Sequence, residues 1–150
     1  MIAGDTSSIH ASAVLVGARA VLITGPSGSG KSRLAFDLIL AGKAGQIASA
    51  YLVGDDRVLL SAAGSELIVR PVPALAGLIE VRGLGIRSCD HVAQAAVGLL
   101  VALAAEDAAR MPLPDALKTT VLGLTLPRVP VGPGEAALPL VLAALTTAAA

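Results

Sequence analysis

Aromatic residues are nearly missing from this 150-residue chain, which has one Tyr, one Phe and no Trp. Its core must therefore be built from Ala, Val and Leu, small aliphatics that suit close helix–sheet packing. An excess of either charge is missing too: 11 basic residues balance 11 acidic ones. That excludes a broadly basic nucleic-acid surface. Cys89 is the single cysteine, so neither a disulfide framework nor a cysteine zinc cluster can form. No signal-peptide pattern opens the sequence. The longest apolar runs, residues 92–105 and 136–150, are interrupted by Gln94 and Pro139. Both fall short of the roughly 18 uninterrupted residues of a membrane span. These absences lead us to expect one soluble, cytoplasmic domain over residues 1–150, with no membrane and no nucleic acid as partner.

What is present centres on residues 20–32, A-V-L-I-T-G-P-S-G-S-G-K-S. A short apolar run breaks at Gly25 into a glycine-rich loop. Leu34, Ala35, Leu38 and Ile39 then recur at helical spacing. Residues 25–32 satisfy G-x-x-x-x-G-K-S/T between a strand and a helix, the context this motif requires. Gly25, Pro26, Ser27, Gly28, Ser29 and Gly30 would wrap a phosphate with inward N–H groups. The helix start adds partial positive charge there. Lys31 can reach the β- and γ-phosphates, and the Ser32 hydroxyl can coordinate Mg²⁺. The blander reading is a glycine turn that merely caps a helix.

Along the rest of the chain, residues 7–16 and 20–24 predict a hairpin that places His10 on its first strand. A helix is expected from Lys31 to Ala41, with Gly42 as its cap. Residues 50–53 predict a strand that ends at Gly54-Asp55-Asp56. Two adjacent carboxylates there read either as a solvated turn or as partners of Mg²⁺. Residues 57–62 and 66–70 predict a second hairpin, and residues 74–78 a helical turn. On a strand through residues 78–86, Glu80 and Arg82 would share a face. They read as a surface ion pair or as groups for metal and phosphate. Residues 95–104 and 121–126 predict strands, 106–114 and 127–134 loops, and 135–147 a final helix with Pro139 in its first turn. The expected fold class is α/β: one P-loop domain, a mixed sheet with hairpins and flanking helices.

Four blocks in order resemble the catalytic domain of HPr kinase/phosphorylase: Ile9-His10; L-I-T-G-P-S-G-S-G-K-S at 22–32; L-V-G-D-D-R-V at 52–58; and L-I-E-V-R-G-L-G-I at 78–86. The resemblance implies the HPr kinase/phosphoenolpyruvate carboxykinase-like fold and ATP-dependent phosphorylation of a serine on HPr, the phosphocarrier of the bacterial sugar phosphotransferase system. It also implies a possible reverse phosphorylase reaction. By the same resemblance Lys31 binds the transferred phosphate, Ser32 and Glu80 hold Mg²⁺, and Asp56 is the general base. Asp55 supports the site of that base, in the nucleotide pocket, and serves the metal as well; His10 lies near the reacting groups, and Arg82 belongs to the signature strand. Arg110, in E-D-A-A-R-M-P, matches the family's later catalytic arginine. The chain resembles the short form without a separate N-terminal domain, and homo-oligomers, hexamers in long members, are expected. Arg33 stands where the family has an acidic residue. Residues 130–136 read P-V-G-P-G-E-A where it has P-V-R-P-G-R-N. A small-molecule kinase or nucleotide hydrolase, and a non-enzymatic nucleotide-binding regulator, are the competing readings.

Overall fold

The computed structural model describes residues 6–150. Eleven strands and two α-helices form a mixed α/β fold. Nine strands join in one sheet with the path β1-β5-β6-β9-β3-β2-β4, and a side hairpin is attached at β9. The strands are β1 (Thr6–Ile9), β2 (Ser12–Val16), β3 (Arg19–Thr24), β4 (Ala50–Gly54), β5 (Val58–Ala63), β6 (Glu66–Pro71) and β9 (Ala95–Ala102). The side hairpin is β10 (Lys118–Val121) and β11 (Leu124–Pro130), and a separate hairpin is β7 (Leu78–Val81) and β8 (Gly85–Ser88). The helices are α1 (Lys31–Lys43) and α2 (Ala137–Thr146). Among the described residues no helix is long and apolar enough to cross a membrane.

β9 is the seam. It pairs in parallel with β3 along one edge. Its other edge is shared: Ala95 and Ala96 pair with β6, and Leu100 to Ala102 pair with β11. The sheet thus forks into a β6-β5-β1 arm and the β10–β11 hairpin. Alternation along β3 divides the core. Val21 and Ile23 join a cluster with Leu34, Leu38 and Val141 from the two helices. Ala20 and Leu22 point the other way, to Val58, Leu60, Leu67 and Val69 of the β6-β5-β1 arm. Leu38 is fully buried, which stabilises α1 on the sheet by about 1.5–3 kcal/mol.

Several expected boundaries are corrected. Residues 7–16 are two strands, not one. β1 pairs with β5, β2 pairs with β3 and β4, and His10 lies in the bend between them. Ile9, Ala11 and Ala13 all face one cluster, so the two-residue period runs through the break and hides it. α1 continues past Ala41 to Lys43 and is capped at Ala44. Gly42 therefore lies inside it, and a β-carbon there would come within 2.8 Å of the Ala50 backbone nitrogen. Residues 78–86 are not one strand. Gly83 and Gly85, with φ of 97° and 92°, fold the chain back, and Arg82 sits in the turn rather than beside Glu80. The proline-rich residues expected as a loop continue β11 through Pro130.

Candidate functional site

Two antiparallel steps, β3 to β2 and β2 to β4, make β4 run parallel to β3. β3, β4, β9 and β11 therefore all point their carboxyl ends one way, where open α/β sheets hold their ligands. Residues 25–30 leave the end of β3 there and α1 begins at Lys31. Gly25 has φ of 150°, and a β-carbon on it would lie 2.6 Å from Ser29 Oγ and 3.0 Å from the Leu103 β-carbon. Only glycine lets this loop turn so closely over the segment that follows β9. Leu103 N–H in turn donates to Thr24 O at 2.9 Å. Gly28 and Gly30 also have positive φ, and nothing crowds either position within 4 Å. Lys31 Nζ curls back onto the carbonyls of Gly25 and Pro26, at 2.9 and 3.1 Å. Ser29 Oγ is buried without a hydrogen-bond partner.

Asp55, at the end of β4, is 3% exposed, and its carboxylate gathers the centre of the site. Ser32 Oγ donates to Oδ1 and Oδ2 at 2.8 and 2.9 Å. Glu80 N–H donates to Oδ2 at 3.0 Å, and Ser12 Oγ to Oδ1 at 2.6 Å. A serine hydroxyl and a carboxylate in contact are hard oxygen donors of the kind Mg²⁺ takes. Together with the unpartnered Ser29 hydroxyl, they fit a nucleotide-bound magnesium ion.

The structure thus joins Lys31, Ser32, Asp55 and Glu80 around the loop. Glu80 enters through its backbone, while its side chain is on an exposed residue. No group of three or more His, Cys, Asp or Glu side chains converges to hold a metal among the described residues. Asp56 is exposed beside Asp55, with φ of 66°. His10 Nε2 lies 2.8 Å from Arg57 Nη2, whose Nη1 donates to Ser8 Oγ at 3.0 Å. With the guanidinium donating, that imidazole nitrogen must accept. Arg82 is exposed in the β7–β8 turn.

Arg110 lies exposed on the loop after β9, and no hydrogen bond ties it to Lys31, Asp55 or Asp56 among the described residues. That loop is anchored instead by Arg128, which holds the Asp107 carboxylate with two bonds of 2.8 and 3.1 Å and donates to Ala116 O at 2.9 Å. The Arg128 hydrogen bond holds the Asp107 carboxyl below the usual carboxylate range. Beside it, Gly132 N–H donates to Glu135 Oε1 at 3.1 Å.

A groove of about 270 Å³ lies elsewhere, lined by Val16, Arg19, Gly98, Pro127 and Leu145 among others. Its one titratable side chain, Arg19, is already paired with Glu66 at 2.7 Å.

Sequence reasoning missed Ser12 and Arg128. The sequence shows Ser12 only as a lone hydroxyl among small apolar residues, in A-S-A-V-L-V, which does not name its partner.

Comparison with known proteins now adds to this geometry. The family described as HPr Serine kinase C-terminal domain matches residues 2–147. The HPr kinase/phosphorylase of Mycoplasma mycoides is 40% identical over 81 residues, covering 54% of this chain and 24% of that protein. The HPr kinase/phosphorylase of Neisseria meningitidis is 45% identical over 73 residues, covering 48% and 21%. The matched segments span only about a quarter or less of those curated relatives. The structure of the Hpr(Ser) kinase/phosphatase from Coxiella burnetii superposes with a TM-score of 0.71 at 29% identity, covering 93% of each chain.

Proposed function

The chain belongs to the family of the HPr serine kinase C-terminal domain, and from that premise we propose that it transfers the γ-phosphoryl group of ATP to a serine of an HPr-type phosphocarrier protein. One observation carries the reading: Ser32, at the start of α1, is bonded to buried Asp55 one residue before Asp56. A glycine-rich loop and one buried carboxylate therefore meet at one point, and Asp56 is the next residue along the chain.

In this mechanism the loop N–H groups and the α1 start hold the β- and γ-phosphates. Lys31 leaves the Gly25 and Pro26 carbonyls for the transferring group and neutralises its charge. Ser32, Asp55 and Glu80 would hold Mg²⁺, directly or through water, and the ion would supply charge stabilisation to the phosphates there. Asp56 takes the proton from the substrate serine as its oxygen bonds to the γ-phosphorus and the bond to ADP breaks. His10, held by Arg57, is the group that the resemblance puts near the acceptor, and Arg82 and Arg110 would supply cations from the β7–β8 turn and the loop after β9.

The turn at Gly132–Glu135 supports forward transfer over phosphorolysis. It lacks the arginines that the family carries there, and its Glu135 carboxylate closes the turn on the Gly132 N–H instead. Self-association, hexameric by resemblance, belongs to the same proposal and is checked by light scattering.

The test mixes the protein with Mg·ATP and HPr and follows phosphoserine by mass spectrometry. Labelling by the wild type and its loss in Asp56→Asn are expected. ATP turnover without labelled HPr would point instead to a small-molecule kinase or hydrolase, and tight ATP binding with no transfer to a regulator.

A further inference from the structure

Ser12 is fully buried in β2, between two alanines. Burying a hydroxyl there is costly unless it is hydrogen-bonded, and packing alone would be served by a third alanine. Its partner is Asp55 Oδ1, at 2.6 Å. The other oxygen, Oδ2, receives the Glu80 N–H at 3.0 Å. One donor from β2 and one from β7 therefore grip the two ends of the carboxylate. It cannot rotate about its Cβ–Cγ bond without breaking one of them, and the Ser32 hydroxyl spans the same two oxygens.

We propose that Ser12 is a positioning residue: it fixes the plane of the Asp55 carboxylate so that this group and the Ser32 hydroxyl present matched oxygens to the Mg²⁺ of a bound nucleotide. Ser12 does not itself touch nucleotide or metal. It acts on Asp55, as outer hydrogen-bond partners act on metal-binding carboxylates in general. The inference rests on the nucleotide-binding reading above.

The test compares wild type, Ser12→Ala and Ser12→Thr as full chains. The binding of a fluorescent ATP analogue is titrated with Mg²⁺ and, separately, measured in EDTA. Mn²⁺ binding is followed by electron paramagnetic resonance. Ser12→Ala should raise the Mg²⁺ concentration for half-saturation by about 10- to 100-fold and weaken Mn²⁺ binding alike, with metal-free nucleotide affinity unchanged. Ser12→Thr, which keeps the hydroxyl, should return to near wild type. In an Asp55→Asn background Ser12→Ala should add nothing, because residues acting as one unit are not additive. Ser12→Cys keeps the size with only a weak donor. It should give an intermediate shift, and it replaces the alanine variant if that chain does not fold. An unchanged metal titration in these variants overturns the proposal. So does an equal loss in EDTA, which would make Ser12 a support of the loop rather than of the carboxylate. If the wild type binds no nucleotide with or without Mg²⁺, the nucleotide reading itself fails and the role of Ser12 falls with it.

Discussion

Asp56 sits in the left-handed region with φ of 66°, where most side chains are strained but Asp and Asn are tolerated. Asp56→Asn therefore removes the proposed base and keeps the turn. Its stability should stay within about 0.5 kcal/mol of wild type, while transfer to HPr falls by about 10²- to 10⁴-fold. Urea denaturation beside the kinase assay checks both, and parallel losses would make Asp56 structural. Asp107 gives a pH prediction. Its folded pKa is lowered by Arg128, so its contribution to stability is present above the usual carboxylate value of about 3.9. That contribution is lost as pH falls through the lowered value. The melting temperature of Asp107→Asn should lie slightly below wild type at pH 7, and the gap should close below about pH 4. A gap that persists in acid would show that Arg128 is not its cause. The meeting of Ser32 with Asp55 was legible in the sequence because a glycine-rich loop motif and a strand ending in carboxylates both mark the carboxyl end of a sheet. Ser12 and Arg128 were not. Ser12 meets its partner 43 positions away, and nothing beside it in the chain names that partner.

At the scale of elements, α1 shows packing overruling local preference. Gly42 lies inside the helix, and Ala there would gain about 1 kcal/mol of helix propensity. Its β-carbon would, however, meet the Ala50 β-carbon and nitrogen, both at 2.8 Å. Backbone cannot give way as a flexible side chain does. Gly42→Ala should therefore destabilise by about 1–3 kcal/mol, and a rise in melting temperature would show that α1 lies farther from β4. The helix outran its expected end because Gly42 reads locally as a stop, whereas its close approach to β4 is what calls for glycine there. Proline misled in a similar way. Pro127 and Pro130 suggested a loop, yet β11 holds both by pairing with β10 over Lys118–Pro127 and with β9 over its last three residues. The β5–β6 hairpin and β9 were readable because turn residues and apolar runs mark their ends. The break after β1 left no mark, because its inward face stays apolar on both sides.

At the scale of the molecule, the strand β9 serves both cores at once. Leu100 faces one cluster and Val101 the other. Leu100→Ala should cost about 2–5 kcal/mol and Val101→Ala less, yet each variant should unfold in a single transition seen alike by circular dichroism and by Phe36 and Tyr51 signals. Two separated transitions would mean that the halves are stable apart. The mixed α/β class was legible from the hairpins and the strand–loop–helix unit. The forked sheet was not, since the pairing partners of β9 are set by distant strands.

The late place of that seam has a consequence for biosynthesis. While residues 6–71 leave the ribosome, β6 and β3 have no shared neighbour, and each offers an unpaired edge. Translation must deliver residues 95–102 before the two arms can be stitched together. A nascent chain stalled short of that point is the form in which this protein is most open to aggregation and to holding chaperones.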